Sequence, residues 1–181
     1  MMDDNPIGIR VDDDSMCEPD YLEILWETLA QKDLDGKVGV VGGIVPEMNQ
    51  AKIYQPPWFM ETNVKVTKHF DVPYMTSYFY NTDDVIEADH ITSSYMYLNK
   101  VMRRVMFPTE FDGLSGFREE TYPLLQLKKL GYKHWFNPKA VCWHLRAPSG
   151  GTKVSWERIG ITGRWKAEEM FKDMCYAKIK D

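Results

Sequence analysis

The sequence predicts an α/β domain, and three observations predict it. Short apolar segments with strand character alternate along the chain with segments of helical period. The helical segments carry their own start and stop residues. The order is strand, helix, strand, strand, helix, helix, strand, with helices interleaved rather than grouped at one end.

The first strand is Pro6-Ile7-Gly8-Ile9-Arg10-Val11, followed at once by Asp12-Asp13-Asp14. If extended backbone continues into the triplet, Asp12 and Asp14 share a face and Asp13 opposes them. The first helix begins near Glu18-Pro19-Asp20. Pro19 suits the first helical position, and the acids suit the positive end of the helix dipole. Apolar residues at 21, 22, 25, 26 and 29 keep the 3.6 period, and Asp35-Gly36 ends it. Val38-Gly39-Val40-Val41-Gly42 reads as a buried strand, with Gly42-Gly43 as a bend or a close approach of backbone.

Residues 46–85 hold four prolines and eight aromatics and read as irregular strands with a long loop. A strand from Ile91 to Leu98, a short helix from Asn99 to Val105 and a loop from Phe107 to Phe117 follow. The next helix runs from Glu119 to Leu130 and stops at Gly131. Pro123 falls in its first turn, where proline is tolerated. Tyr132–Phe136 and Ala140–His144 read as two short strands around the turn Asn137-Pro138-Lys139. A last helix is predicted from about Arg164 to Lys178. The division expected is a main domain over 1–154 and a helical tail over 155–181.

Composition excludes several classes. The net charge of −5 leaves no global basic footprint for nucleic acid. Residues 1–36 carry eleven acids against Arg10 and Lys32, whereas 146–181 carry eight bases against five acids. Both ends would suit one ligand bearing metal and phosphate, although uneven surface charge is the plainer reading. Cys17, Cys142 and Cys175 are odd in number and lack C-x-x-C spacing, so they indicate neither a disulfide framework nor a zinc knuckle. The acidic start is unlike a signal peptide, and no apolar run nears the ~18 residues of a membrane span. A cytoplasmic location is expected. The tail from Trp165 to Ile179 mixes Lys with Trp, Met and Phe and has membrane association as its alternative, with packing on the domain preferred.

Paired carboxylates repel unless a cation lies between them, and hard cations prefer carboxylate oxygens. The triplet is therefore a candidate divalent-metal site, while an acidic turn ahead of a helix explains it equally well taken alone. Two further segments stand with it: Gly116-Phe117-Arg118-Glu119-Glu120-Thr121 and Val141-Cys142-Trp143-His144-Leu145-Arg146. In this order the three resemble the family 2 glycosyltransferases of the GT-A fold, over about residues 7–152.

The resemblance implies a partial GT-A, Rossmann-like sandwich lacking its first strands. It implies that Asp12 and Asp14 form the D-x-D motif, with Asp12 near the ribose of a nucleotide sugar and Asp13 beside the donor. Asp14 would hold Mn²⁺ or Mg²⁺ on the diphosphate, and His144 would add a second ligand. Arg146 and Lys153 would meet the diphosphate, with solvated surface charge an equal reading. Glu120 would be the general base of an inverting transfer, with Glu119 the second choice; both acids also suit a helix N-terminus. His69, His90 and His134 match no motif.

Two departures from the family bear on function. Tyr122 stands where members often carry an acid, which opens the question of acceptor recognition. Members also carry a long nucleoside-binding segment ahead of the D-x-D strand, whereas eleven residues precede Asp12 here. The expectation is a C-terminal portion that binds nucleotide weakly, with strand 7–11 an exposed edge that pairs with a second copy. The donor expected is a UDP- or GDP-sugar, and the acceptor a saccharide or lipid-linked saccharide. The rivals are a non-catalytic, oligomerising remnant and a metal-dependent phosphoesterase with two ions ~3.5–4 Å apart.

Overall fold

The computed structural model describes residues 6–46, 48–49, 52–53, 75–76, 83–91, 94–105 and 121–145. They form a mixed α/β fold. In chain order the elements are β1 (Ile7–Arg10), β2 (Ser15–Cys17), α1 (Tyr21–Lys32), β3 (Val38–Ile44), β4 (Met48–Asn49), β5 (Lys52–Ile53), β6 (Met75–Thr76), β7 (Ile86–Ala88), β8 (His90–Ile91), β9 (Tyr95–Leu98), α2 (Asn99–Met102), α3 (Thr121–Lys129) and β10 (Lys133–His144). The main sheet runs β1-β9-β3-β10-β2, and β7 also pairs with β10. β3 and β10 are parallel, and the other pairings in this sheet are antiparallel.

Helices cover both faces of the sheet. Tyr21, Leu25 and Leu29 of α1 pack on Val38, Val41, Met96, Ala140 and Cys142. Leu124 and Leu127 of α3, with Val101 and Met102 of α2, pack on Val40, Ile91, Tyr95 and Phe136. β3 serves both cores, and because its alternation breaks at Gly39, Val38 lies with Val41 on one face and Val40 on the other. Lys133 pairs with Val38 but His134 pairs with Val40, so one extra residue of β3 is bulged.

The elements follow their sequence signals with physical exceptions. α1 starts at Tyr21 with Asp20 as N-cap, so Pro19 lies ahead of the helix and not in its first turn. Leu22 and Trp26 are about half exposed, and the buried stripe is 21, 25, 28 and 29. α3 ends at Lys129, and Gly131 takes a left-handed φ of 84°. The strand expected over 91–98 is divided between β8 and β9. Of the Gly42-Gly43 alternatives, close approach is observed, since β3 continues to Ile44 without a bend. A Cβ on Gly43 would overlap the Ala140 carbonyl, and one on Gly42 would meet Ile91 and the Ser94 carbonyl.

The expected pair of strands around Asn137-Pro138-Lys139 is one strand, β10, twelve residues long. The Asn-Pro signal produces an irregularity within it: Asn137 pairs with Gly43, but the next partner pair is Val141 with Ile44. Asn137 anchors the irregularity. Its Nδ2 donates to Thr28 Oγ1 at 2.8 Å, and its Oδ1 accepts from the Lys139 amide at 3.0 Å.

That irregularity sets the shape of the sheet. Four strand spacings separate β1 from β2 in the order, ~19 Å in a flat sheet. The residues between them reach only ~14 Å once they turn. The distal part of β10 must therefore curl back across the sheet to meet β2. Among the described residues no helix is long and apolar enough to cross a membrane.

Candidate functional site

The acidic triplet lies in a tight turn. The Ser15 amide donates to the Asp12 carbonyl at 3.1 Å, closing a four-residue turn between β1 and β2. This corrects the strand-face argument, because extended backbone stops at Arg10. Asp12 and Asp14 are nonetheless half-buried while Asp13 is exposed at the tip. β2 was not legible as a strand, since three residues offer too little alternation.

The end of β10 closes on this turn through its backbone. The His144 amide donates to the Pro46 carbonyl at 2.9 Å, and the Leu145 amide to the Asp14 carbonyl at 2.7 Å. These bonds fix the strand end from two sides and place the His144 side chain over the turn. His144 Nε2 lies 3.2 Å from Asp14 Oδ2, with the side chains 19% and 37% exposed. The structure thus brings together the two residues expected to ligate metal, although they lie at opposite ends of the described chain.

Neighbouring groups shape the site. Arg10 Nη2 stands 3.7 Å from Asp12 Oδ1, and the guanidinium lies 6.0 Å from the Tyr95 ring centre. Trp143 Nε1 donates to Glu18 Oε1 at 2.7 Å, tying β10 to the segment that leads into α1. Cys17 and Cys142 face each other with their sulfurs 2.7 Å apart. Burial, then the Cys142 thiol beside it, pushes the Cys17 thiol up to about 12. Burial, then the two thiols, also drives the Tyr21 hydroxyl upward. A cavity of about 320 Å³ beside β1 is lined by Ile9, Arg10, Val11, Tyr95, Tyr97 and Met102.

Asp14 and His144 fit a hard divalent cation in one respect that can be checked. Adjacent vertices of an octahedron with ~2.1 Å bonds lie ~3.0 Å apart, close to the observed separation. One carboxylate oxygen and one imidazole nitrogen leave most of the coordination sphere for water and phosphate. Mg²⁺ shared in this way between protein and a phosphorylated ligand is usually held by carboxylates, so the carboxylate of Asp14 fits that pattern and the imidazole of His144 departs from it. Among the described residues, no group of three or more His, Cys, Asp or Glu side chains is gathered as a metal site.

The remaining sequence-derived candidates, Glu119, Glu120, Arg146 and Lys153, lie outside the described residues, as does the tail over 155–181. Sequence reasoning missed the pairing of Glu18 with Trp143 and of Cys17 with Cys142. A partial signal existed for the first pair, since Glu18 closely follows the acidic triplet and Trp143 precedes His144, but Cys17 lies in none of the segments that carry the resemblance. It also missed Pro46, whose carbonyl holds the His144 amide.

Comparison of the sequence with protein-family models and with curated proteins returns no match.

Proposed function

We propose that this chain carries the metal-dependent donor site of an inverting, family 2-like glycosyltransferase, acting on a UDP- or GDP-sugar and an acceptor hydroxyl. The observation that supports this reading best is the 3.2 Å approach of His144 Nε2 to Asp14 Oδ2. In this reading Asp14 and His144 would hold Mn²⁺ or Mg²⁺, and the chemistry such an ion would supply is Lewis-acid stabilisation of negative charge on a nucleoside diphosphate. Asp12, turned toward Arg10, offers a carboxylate to a ribose hydroxyl, and Asp13 meets the donor from the tip of the turn. Glu120, with Glu119 as second choice, takes the proton of the acceptor hydroxyl. Arg146 and Lys153 contact the diphosphate.

The test is calorimetric titration of UDP and of GDP with and without Mn²⁺. Nucleotide binding that strengthens at least about tenfold with Mn²⁺ in the wild type, and not in Asp14→Ala or His144→Ala, is the expected result. Equal binding by all three proteins with Mn²⁺ present, or none by the wild type, would sink the proposal.

A second reading, a non-catalytic assembly module, is favoured by a different observation. β1 ends the main sheet, and among the described residues it pairs only with β9. Ile9 and Val11 on this edge are 40% and 41% exposed. Open edges of this kind accept a strand from a second chain. Light scattering is expected to give a concentration-dependent dimer, and Ile9→Lys to return it to monomer. A wild type that stays monomeric at high concentration removes this reading.

A further inference from the structure

The two thiols behind the acidic turn carry an inference that does not rest on the glycosyltransferase reading. Cys17 and Cys142 are directly opposed across the antiparallel pair of β2 and β10, 125 positions apart in sequence. The Glu18 amide donates to the Val141 carbonyl at 3.0 Å, and the Leu145 amide to the Asp14 carbonyl at 2.7 Å. By the alternation of an antiparallel ladder, Cys17 and Cys142 then occupy a non-hydrogen-bonded pair. At such pairs the Cα atoms stand ~4.5 Å apart and the side chains come closest, within the ~4.4–6.8 Å that a disulfide spans. The sulfurs are already in contact at 2.7 Å. Cys142 is fully buried and Cys17 half-buried, so a reagent reaches Cys17 first.

We propose that Cys17 and Cys142 form a reversible disulfide that clamps β2 to β10 directly behind the Asp14–His144 pair. The oxidant is a small-molecule disulfide such as oxidised glutathione. Cys17 gives up its thiol proton and attacks one sulfur of the oxidant, which releases one glutathione thiolate and leaves a mixed disulfide. Cys142 then gives up its proton and attacks Cys17 Sγ, which expels the second thiolate. The released protons neutralise the two thiolates. Two protein thiols are oxidised, and one external disulfide is reduced to two thiols. The bridge closes a loop that spans most of the described fold, the situation in which a cross-link restricts the unfolded chain most.

The test treats the folded chain for several hours with oxidised glutathione in excess at about pH 9, which offsets in part the upward shift that burial gives the Cys17 thiol. The expected product has lost two hydrogens by intact mass, and its peptide map joins the segments bearing Cys17 and Cys142. Its Tm rises by at least about 5 °C, and dithiothreitol reverses the rise. Cys17→Ser, at the half-buried position, is expected to lose both the mass change and the Tm shift. Three outcomes overturn the proposal: both thiols staying open to alkylation in the treated folded protein, a link that joins Cys175 instead, or an unchanged Tm with the bond formed.

Discussion

Gly43→Ala is expected to lower the free energy of unfolding by about 3 kcal/mol, and Gly43→Val by more. At Gly43 an added Cβ meets backbone, the Ala140 carbonyl, and not the movable end of a side chain. Relief requires moving either β3 or the curled part of β10, and both lie in the core. Gly36 supplies the control. Its φ of 67° strains any other residue, but nothing lies within 4 Å of an added Cβ. Gly36→Ala should therefore cost only the left-handed backbone strain, about 1–2 kcal/mol. Urea denaturation of the three variants with unchanged slope measures this directly. If Gly43→Ala and Gly36→Ala proved equally mild, the close crossing of β10 over β3 would be wrong. On the proposed donor-site reading, Gly43→Ala should also weaken nucleotide binding in the presence of Mn²⁺, because the Ala140 crossing precedes His144.

Acidification supplies the second large effect. His134 is fully buried, and its Nε2–H donates to the Leu124 carbonyl at 2.8 Å. Burial first, with Lys128 adding to it, lowers the imidazole from 6.5 to about 4, against opposing contributions from the Leu124 carbonyl and Glu87. Between these values the unfolded chain binds a proton that the folded chain refuses. Stability is therefore fully present above pH 6.5 and is lost as the pH falls toward about 4. The loss assigned to this one group is about 3 kcal/mol. His134→Gln keeps a side-chain donor and removes the titration, so its stability should fall less steeply over that interval. Parallel pH profiles for the two proteins would show that acid sensitivity lies elsewhere.

Much of the fold was legible because its signals are local. The 3.6 period of α1, the apolar run of β3 and the Gly131 terminus of α3 depend on neighbours in sequence, and all three appear with shifted ends. What was not legible depends on distant partners. Asn137-Pro138 is a turn signal in isolation. In the fold the Thr28 hydroxyl and the parallel partner β3 hold that segment in one continuous strand. Gly39 gives no sign of a bulge until His134 is placed against it, where an added Cβ would meet the ring. β2 exists because β10 curls back to pair with it.

The site divides in the same way. Asp14 and His144 were expected through a resemblance spread over three segments, and the fold brings the two together. The cysteine pair was read from spacing alone, which carries no information about strands that meet from opposite ends of the chain.

The curl of β10 also governs the order of events when the chain is made. β10 joins β3, β7 and β2, and residues 133–145 are the last of the described segments to leave the ribosome. Until they emerge, β2 has no partner in the main sheet and the acidic turn lacks its histidine. Pairing at such sequence distance is slow, because a long loop must close before any contact rewards it. The nascent chain therefore passes through an interval in which the residues of α1 have been made but lack Ala140 and Cys142, on which they pack. In that interval a chaperone, or a second nascent chain, competes with β10 for the same ladder.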